Sequence, residues 1–124
     1  MDNRIARVIE LLRLDVRRPP ALDELAREVN LSSSRLRHLF KEETGLSPAQ
    51  YLRSLRMERA RELGEGTFLR VKEIMNSVGL RNKSQFTRTF KRAHGLTPAE
   101  FLWTRRRVQA PAGYLPPAAK NDNT

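Results

Sequence analysis

The chain carries two histidines, His38 and His94, and no cysteine. Neither histidine belongs to a metal-ligand spacing such as His-Glu-x-x-His, and no phosphate loop or Gly-x-Ser-x-Gly elbow is present. Without cysteine there is no thiol nucleophile, no disulfide and no Cys-based zinc site. The reading is therefore no enzyme, no metal and no cofactor. What the chain offers instead is cations and short hydroxyls at helical spacing. Ser34, Arg37, His38 and Lys41 recur at three- and four-residue steps, opposite the apolar Leu36, Leu39 and Phe40. Ser84, Thr87, Arg88 and Lys91 do the same, opposite Phe86 and Phe90. The two polar sets correspond position by position, and the spacing predicts that neither face carries an acid, which would repel phosphates. Arg grips guanine through two hydrogen bonds, and Ser and His can meet acceptors or phosphate oxygens. Gln85, near the edge of the second face, can pair with adenine. Lys41 and Lys91, near helix ends, suit phosphates, which position without reading sequence, and Arg35 is assigned with them. Singly, each of these residues is an ordinary solvated helix side chain; as a matched pair of faces they point to duplex DNA.

The elements that must hold these faces are helices. Ile5, Val8, Ile9, Leu12 and Val16 mark a first one, capped by Asp2 or Asn3 and expected to end at Pro19-Pro20. Leu22, Leu25, Ala26 and Val29 mark a short second helix, with Asn30 as a left-handed turn residue. Ser32 caps a third, which Gly45 closes. Ser47-Pro48-Ala49-Gln50 is a capping box opening a fourth helix to about Leu63, with Gly64 or Gly66 as its stop. The apolar stripe of this helix turns: Tyr51, Leu52 and Leu55 share one face, and Met57, Ala60 and Leu63 share another. That is the pattern of a linker serving two cores. A short helix with Val71, Ile74, Met75 and Val78 follows, then the turn at Gly79, a helix capped by Asn82 or Ser84 and closed by Gly95, and a last helix opened by the box Thr97-Pro98-Ala99-Glu100.

The second half repeats the first. FKEETGLSPAQYL at 40–52 matches FKRAHGLTPAEFL at 90–102, seven of thirteen positions being identical at an offset of 50. DELAREVNL at 23–31 matches KEIMNSVGL at 72–80 at an offset of 49, so one extra residue sits in the second turn. Each copy reads as helix, tight turn, helix. The expected division is a first helix-turn-helix subdomain over 1–46, a linker helix over 47–64, a second subdomain over 65–107, and a disordered tail over 108–124. A linker of about sixteen residues is roughly 24 Å long. With its flanking turns it would set two reading helices about 34 Å apart, one turn of DNA, so that a monomer suffices.

The charge agrees. Lys and Arg number 24 against 14 Asp and Glu, a formal net charge of +10 on 124 residues. That favours a polyanion. No run of about 18 apolar residues predicts a transmembrane helix, and the start MDNRIARVIELL lacks the layout of a signal peptide. The expected location is the cytoplasm, at the nucleoid, with no membrane partner. The alternative is a basic helical module that binds RNA or docks on a protein without DNA sequence specificity. Aromatics at 6% offer no stacking platform, which counts against single-strand readers.

Residues 5–106 resemble the DNA-binding domain of the AraC/XylS family of bacterial transcription regulators. The likeness rests on Arg56, Ala60, Ile74, Gly79, Ser84, Phe86, Arg88, Phe90, Lys91, Gly95 and Pro98. It implies an all-α fold of about seven helices in two helix-turn-helix subdomains, and transcription regulation, usually activation, with contact to RNA polymerase. It also implies base reading from Ser34, Arg37 and His38 in the first unit, and from Lys83, Ser84, Gln85, Thr87 and Arg88 in the second. Met75, Leu80 and Gly64 depart from the usual Ala, Phe and Leu. Ser34 is small for a base-reading position. Most relatives carry an effector-sensing domain as well, so the chain is either a stand-alone regulator or a piece of a longer one.

Overall fold

A computed structural model describes residues 1–109. Seven helices and no strand occur among them: α1 (Asn3–Leu14), α2 (Leu22–Glu28), α3 (Ser33–Thr44), α4 (Pro48–Gly66), α5 (Val71–Ser77), α6 (Lys83–His94) and α7 (Pro98–Gln109). The helix α7 runs through Gln109, and the rest of the tail expected over 108–124 lies outside the described residues.

Local chemistry sets the helix ends, and it does so twice. Asp2 caps α1, accepting from the Arg4 N–H at 2.8 Å. At α2 the Glu24 carboxylate reaches back to the Ala21 N–H at 3.0 Å, and at α5 Glu73 does the same to Arg70 at 2.9 Å. Ser32 caps α3 through the Arg35 N–H, and Asn82, not Ser84, caps α6 through the Gln85 N–H. The two capping boxes match in both of their bonds. Ser47 N–H donates to Gln50 Oε1 and Thr97 N–H to Glu100 Oε1, each at 2.9 Å; Gln50 N–H donates to Ser47 Oγ and Glu100 N–H to Thr97 Oγ1, each at 3.2 Å. Each box satisfies two backbone groups that would otherwise be orphaned.

The turns between α2 and α3 and between α5 and α6 are alike as well. Asn30 at φ 57° and Gly79 at φ 84° take the left-handed conformation. Each lets the next residue bond back across the helix end, Leu31 N–H to Ala26 O at 2.9 Å and Leu80 N–H to Met75 O at 3.0 Å. This is the Schellman arrangement, in which the left-handed residue satisfies a carbonyl of the last turn. Glycine takes that conformation without strain, and asparagine is among the few side chains that tolerate it.

The first helix ends earlier than its apolar spacing suggests. Leu14 is its last residue, and Asp15 Oδ1 accepts from the N–H groups of Arg17 and Arg18 at 3.1 and 3.0 Å. That local turn outcompetes another helical turn before the prolines are reached. Val16 thus leaves the helix, yet it still packs on the first core.

Two compact units divide the chain, Met1–Arg56 and the residues from Met57 onward. In the first, Ile5, Val8, Leu12, Leu25, Leu36 and Phe40 form the buried core, joined by Leu55 of α4 and flanked by Tyr51 and Leu52. Phe40 meets Tyr51 edge-on at 5.4 Å. Arg56, at the end of this unit, donates from Nε to the Val16 carbonyl at 2.8 Å, and burial lowers its pKa below the ordinary value. In the second unit Met57, Ala60, Val71, Ile74, Met75, Phe86, Phe90 and Leu102 are buried. Phe90 meets Phe101 edge-on at 5.6 Å, the counterpart of the first unit's pair. His94 holds its Nε2 2.9 Å from the Met57 carbonyl and its ring against Phe90, a packing role. Arg106 is buried, with donors on the Thr67 and Leu69 carbonyls and its guanidinium over the Phe68 ring.

Gly64 does not stop α4, which continues to Gly66. A Cβ at Gly64 would lie 2.9 Å from Leu102 Cδ2 and 3.0 Å from Phe101 Cε2. The missing side chain lets α7 close on α4, which is the packing reason for glycine at this position.

Candidate nucleic-acid interface

The second helix of each unit, α3 and α6, is amphipathic. Its buried side is anchored by Leu36, Leu39 and Phe40 in α3, and by Phe86 and Phe90 in α6. That anchoring turns positions 34, 37, 38 and 41 outward in the first, and 84, 88 and 91 in the second. Ser34, Arg35, Arg37, His38 and Lys41 are all exposed, as are Ser84, Gln85, Arg88 and Lys91. Lys83 and Thr87 are half-buried.

In the first unit the structure brings Ser34, Arg37, His38 and Lys41 around one shallow depression of about 440 Å³. Two residues missed from the sequence share it, Ser47 and Glu42. Glu42 corrects the expectation of an acid-free face. Its Oε1 lies 3.1 Å from His38 Nε2, one helical turn away. The i,i+4 spacing carried that signal, because residues four apart are neighbours on a helix surface. Arg35 does not line the depression; its backbone N–H closes the Ser32 cap at the start of α3. In α6, basic residues crowd the last turn, with Lys91, Arg92 and His94, where cations suit the negative end of the helix.

Each unit therefore presents an exposed polar helix face, held by a capped start, a left-handed turn before it and a glycine closing it at Gly45 or Gly95. Hydroxyls, guanidinium, imidazole and ammonium groups on such a face have the donors that base edges and phosphates accept from. Among the described residues no group of three or more His, Cys, Asp or Glu could hold a metal ion, and no helix is long and apolar enough to cross a membrane.

This arrangement defines a helix-turn-helix domain, and the family model described as a helix-turn-helix domain matches residues 25–104. The chain belongs to the AraC/XylS-type DNA-binding domains of transcription regulators. Among curated relatives it is similar to the Msm operon regulatory protein of Streptococcus mutans, 36% identical over 80 residues that cover 64% of this chain and 29% of that protein. The chain thus spans less than a third of that relative's length. Among solved structures it is similar to the C-terminal domain of AraT, a response regulator from Geobacillus stearothermophilus, at 28% identity and a TM-score of 0.72 over 90% of this chain and 89% of that one. It shares its fold with the DNA-binding domain of AdpA, solved in complex with a target DNA, at 24% identity and a TM-score of 0.75 over 89% and 98% of the two chains.

Proposed function

We propose that this chain reads the sequence of double-stranded DNA by setting α3 and α6 into two major-groove segments. The observation that carries this reading is the pair of exposed polar faces at an offset of 50, each backed by its own core. Ser34, Arg37 and His38 read bases for the first unit, and Lys83, Ser84, Gln85, Thr87 and Arg88 for the second. Arg35, Lys41 and Lys91 hold phosphates. The +10 net charge supplies the sequence-independent attraction. The target DNA in the AdpA complex supports DNA as the ligand class for this fold. A monomer carries both reading helices, and RNA polymerase is the second partner proposed, on the family likeness.

Selection from a random duplex library tests the reading. Two enriched boxes about 10 base pairs apart are expected, with a selected-to-scrambled affinity ratio of at least about 10³ at physiological salt. Equal, steeply salt-dependent binding to every duplex overturns sequence reading and leaves a basic module for RNA or protein partners. A single box restricts the reading to one unit.

A further inference from the structure

The two helix-turn-helix stretches share caps and turns but not charge. From 21 to 45, four Lys and Arg stand against five Asp and Glu; from 70 to 95, seven stand against one. Part of the excess gathers at helix starts. Arg70 is the N-cap of α5 and Lys72 its second residue, while Arg81 and Lys83 flank Asn82, the N-cap of α6. Cations there oppose the helix macrodipole, which favours acids at that end. The first unit keeps to the preference, with Asp23 and Glu24 in the first turn of α2. Arg81 is also the residue by which the second turn is longer. The turn bonds at Leu31 and Leu80 correspond at an offset of 49, and the caps Ser32 and Asn82 at 50, so the insertion between them is Arg81, which is exposed. In the first unit the Ser33 hydroxyl donates to Asp23 and ties the start of α3 to that of α2. The equivalent positions hold Lys83 and Lys72, two cations in place of a donor and an acceptor. Among the described residues no carboxylate pairs with the side chains of Arg70, Lys72 or Arg81. Neither the helix ends nor an ion pair accounts for these three charges.

We propose that Arg70, Lys72 and Arg81 form a grip for DNA backbone phosphates around the starts of α5 and α6. The second unit is thereby the anchor of the chain on any duplex, and the first adds its hold only where its bases match. Three cations at the edge of one helix face displace counterions from neighbouring phosphates and read no base. Residues that break the local preference of a helix mark function rather than folding. The stretch from 21 to 45, with more acids than cations, is drawn to phosphates weakly until Ser34, Arg37 and His38 meet their bases. The grip rests on duplex DNA as the ligand proposed above, not on base reading by either helix.

The experiment compares the intact protein with two triple variants. One carries Arg70→Gln, Lys72→Gln and Arg81→Gln. The other carries Arg13→Gln, Arg27→Gln and Arg53→Gln, and loses the same charge from exposed positions outside the grip. Anisotropy on a scrambled duplex across a salt series is expected to give the grip variant a slope lower by about three, one for each phosphate contact, and roughly a hundredfold weaker binding in 0.1 M salt. The control variant is expected to keep its slope to within about one. The grip variant is expected to keep the selected-to-scrambled ratio, and its melting temperature to hold or rise as cations leave the helix starts. Methylphosphonate, which neutralises one phosphate at a time, is expected to weaken the wild type at the edge of the box that Arg88→Ala flattens and to leave the grip variant unmoved there. Equal slope losses in the two variants, or no phosphate that the grip variant ignores, overturn the grip and leave diffuse charge. A flattened column in the grip variant's selected-site profile overturns it in favour of base contacts. If the triple variant does not fold, Arg81→Gln alone decides, with an expected slope loss of about one. A failed library selection removes base reading, while the slopes on the scrambled duplex still decide the grip.

Discussion

Arg37 and Thr87 occupy the same place in the two copies, as do His38 and Arg88, so each face proposed to read DNA carries one guanidinium, but at neighbouring positions. That difference predicts different base preferences from two copies of the same helix order, caps and turns. Arg88→Ala is expected to lose specificity at one base position, by about 1–3 kcal/mol, seen as one flattened column in the selected-site profile. An unchanged profile places Arg88 away from the bases. Lys41 and Glu42 sit side by side on α3 with opposite charges. Lys41→Ala is expected to weaken every duplex alike and lower the salt slope by about one. Glu42→Gln is expected to strengthen every duplex roughly threefold, because it removes an anion from the face and frees His38 from an exposed pair that is itself worth little. Anisotropy on selected and scrambled duplexes separates these outcomes. A sequence-selective effect at position 41, or weaker binding at position 42, contradicts the assigned roles.

At the scale of the helix, the two capping boxes share bond lengths but differ in chemistry. Gln50 does not titrate, whereas Glu100 does. The Thr97 hydrogen bonds, led by the one from its backbone N–H, hold the Glu100 carboxyl below the ordinary carboxylate range. A carboxylate with a lowered folded-state pKa stabilises above its unfolded value, and that contribution disappears as pH falls through the folded one. The start of α7 is therefore expected to loosen in acid before the start of α4, with Glu100→Gln abolishing the difference. Amide exchange at Thr97 and Ser47 between neutral pH and pH 3 measures it. Gly64→Leu is expected to destabilise the second unit by about 1–3 kcal/mol, because the Leu102 and Phe101 side chains already occupy the space. A stability gain in thermal unfolding would show that α7 can yield. Caps, turns and the alternation of apolar faces were legible in the sequence because each is fixed by residues within one or two turns. The early end of α1 was not, since the Asp15 turn competes with a helix that the apolar spacing equally supports. The Arg56–Val16 contact spans 40 residues and the burial of Arg106 depends on Thr67 and Leu69, 39 and 37 residues away. No local pattern carries such contacts. On α3 and α6 the outward positions followed from periodicity except at Thr87, which is half-buried, and Glu42 and Ser47 entered because neighbouring turns and a helix cap bring them to the same hollow.

For the molecule, two cores in one chain mean that stability is not a single quantity. Phe86 is buried in the second unit, and Phe86→Ala is expected to cost it about 3–5 kcal/mol. Hydrogen exchange is expected to rise across α5, α6 and α7 while the amides of α2 and α3 keep their protection. Uniform loss would mean that the chain unfolds as one cooperative body. The repetition of caps, left-handed turns and closing glycines has a consequence of another kind. These residues form a grammar that both halves keep, while the outward positions of α3 and α6 are a vocabulary that the grammar leaves free. Copying one half and then rewording it needs no change in any residue that folds the chain. A regulator built this way can acquire a new target half by half, keeping its hold on the old site through one half while the other is respelled.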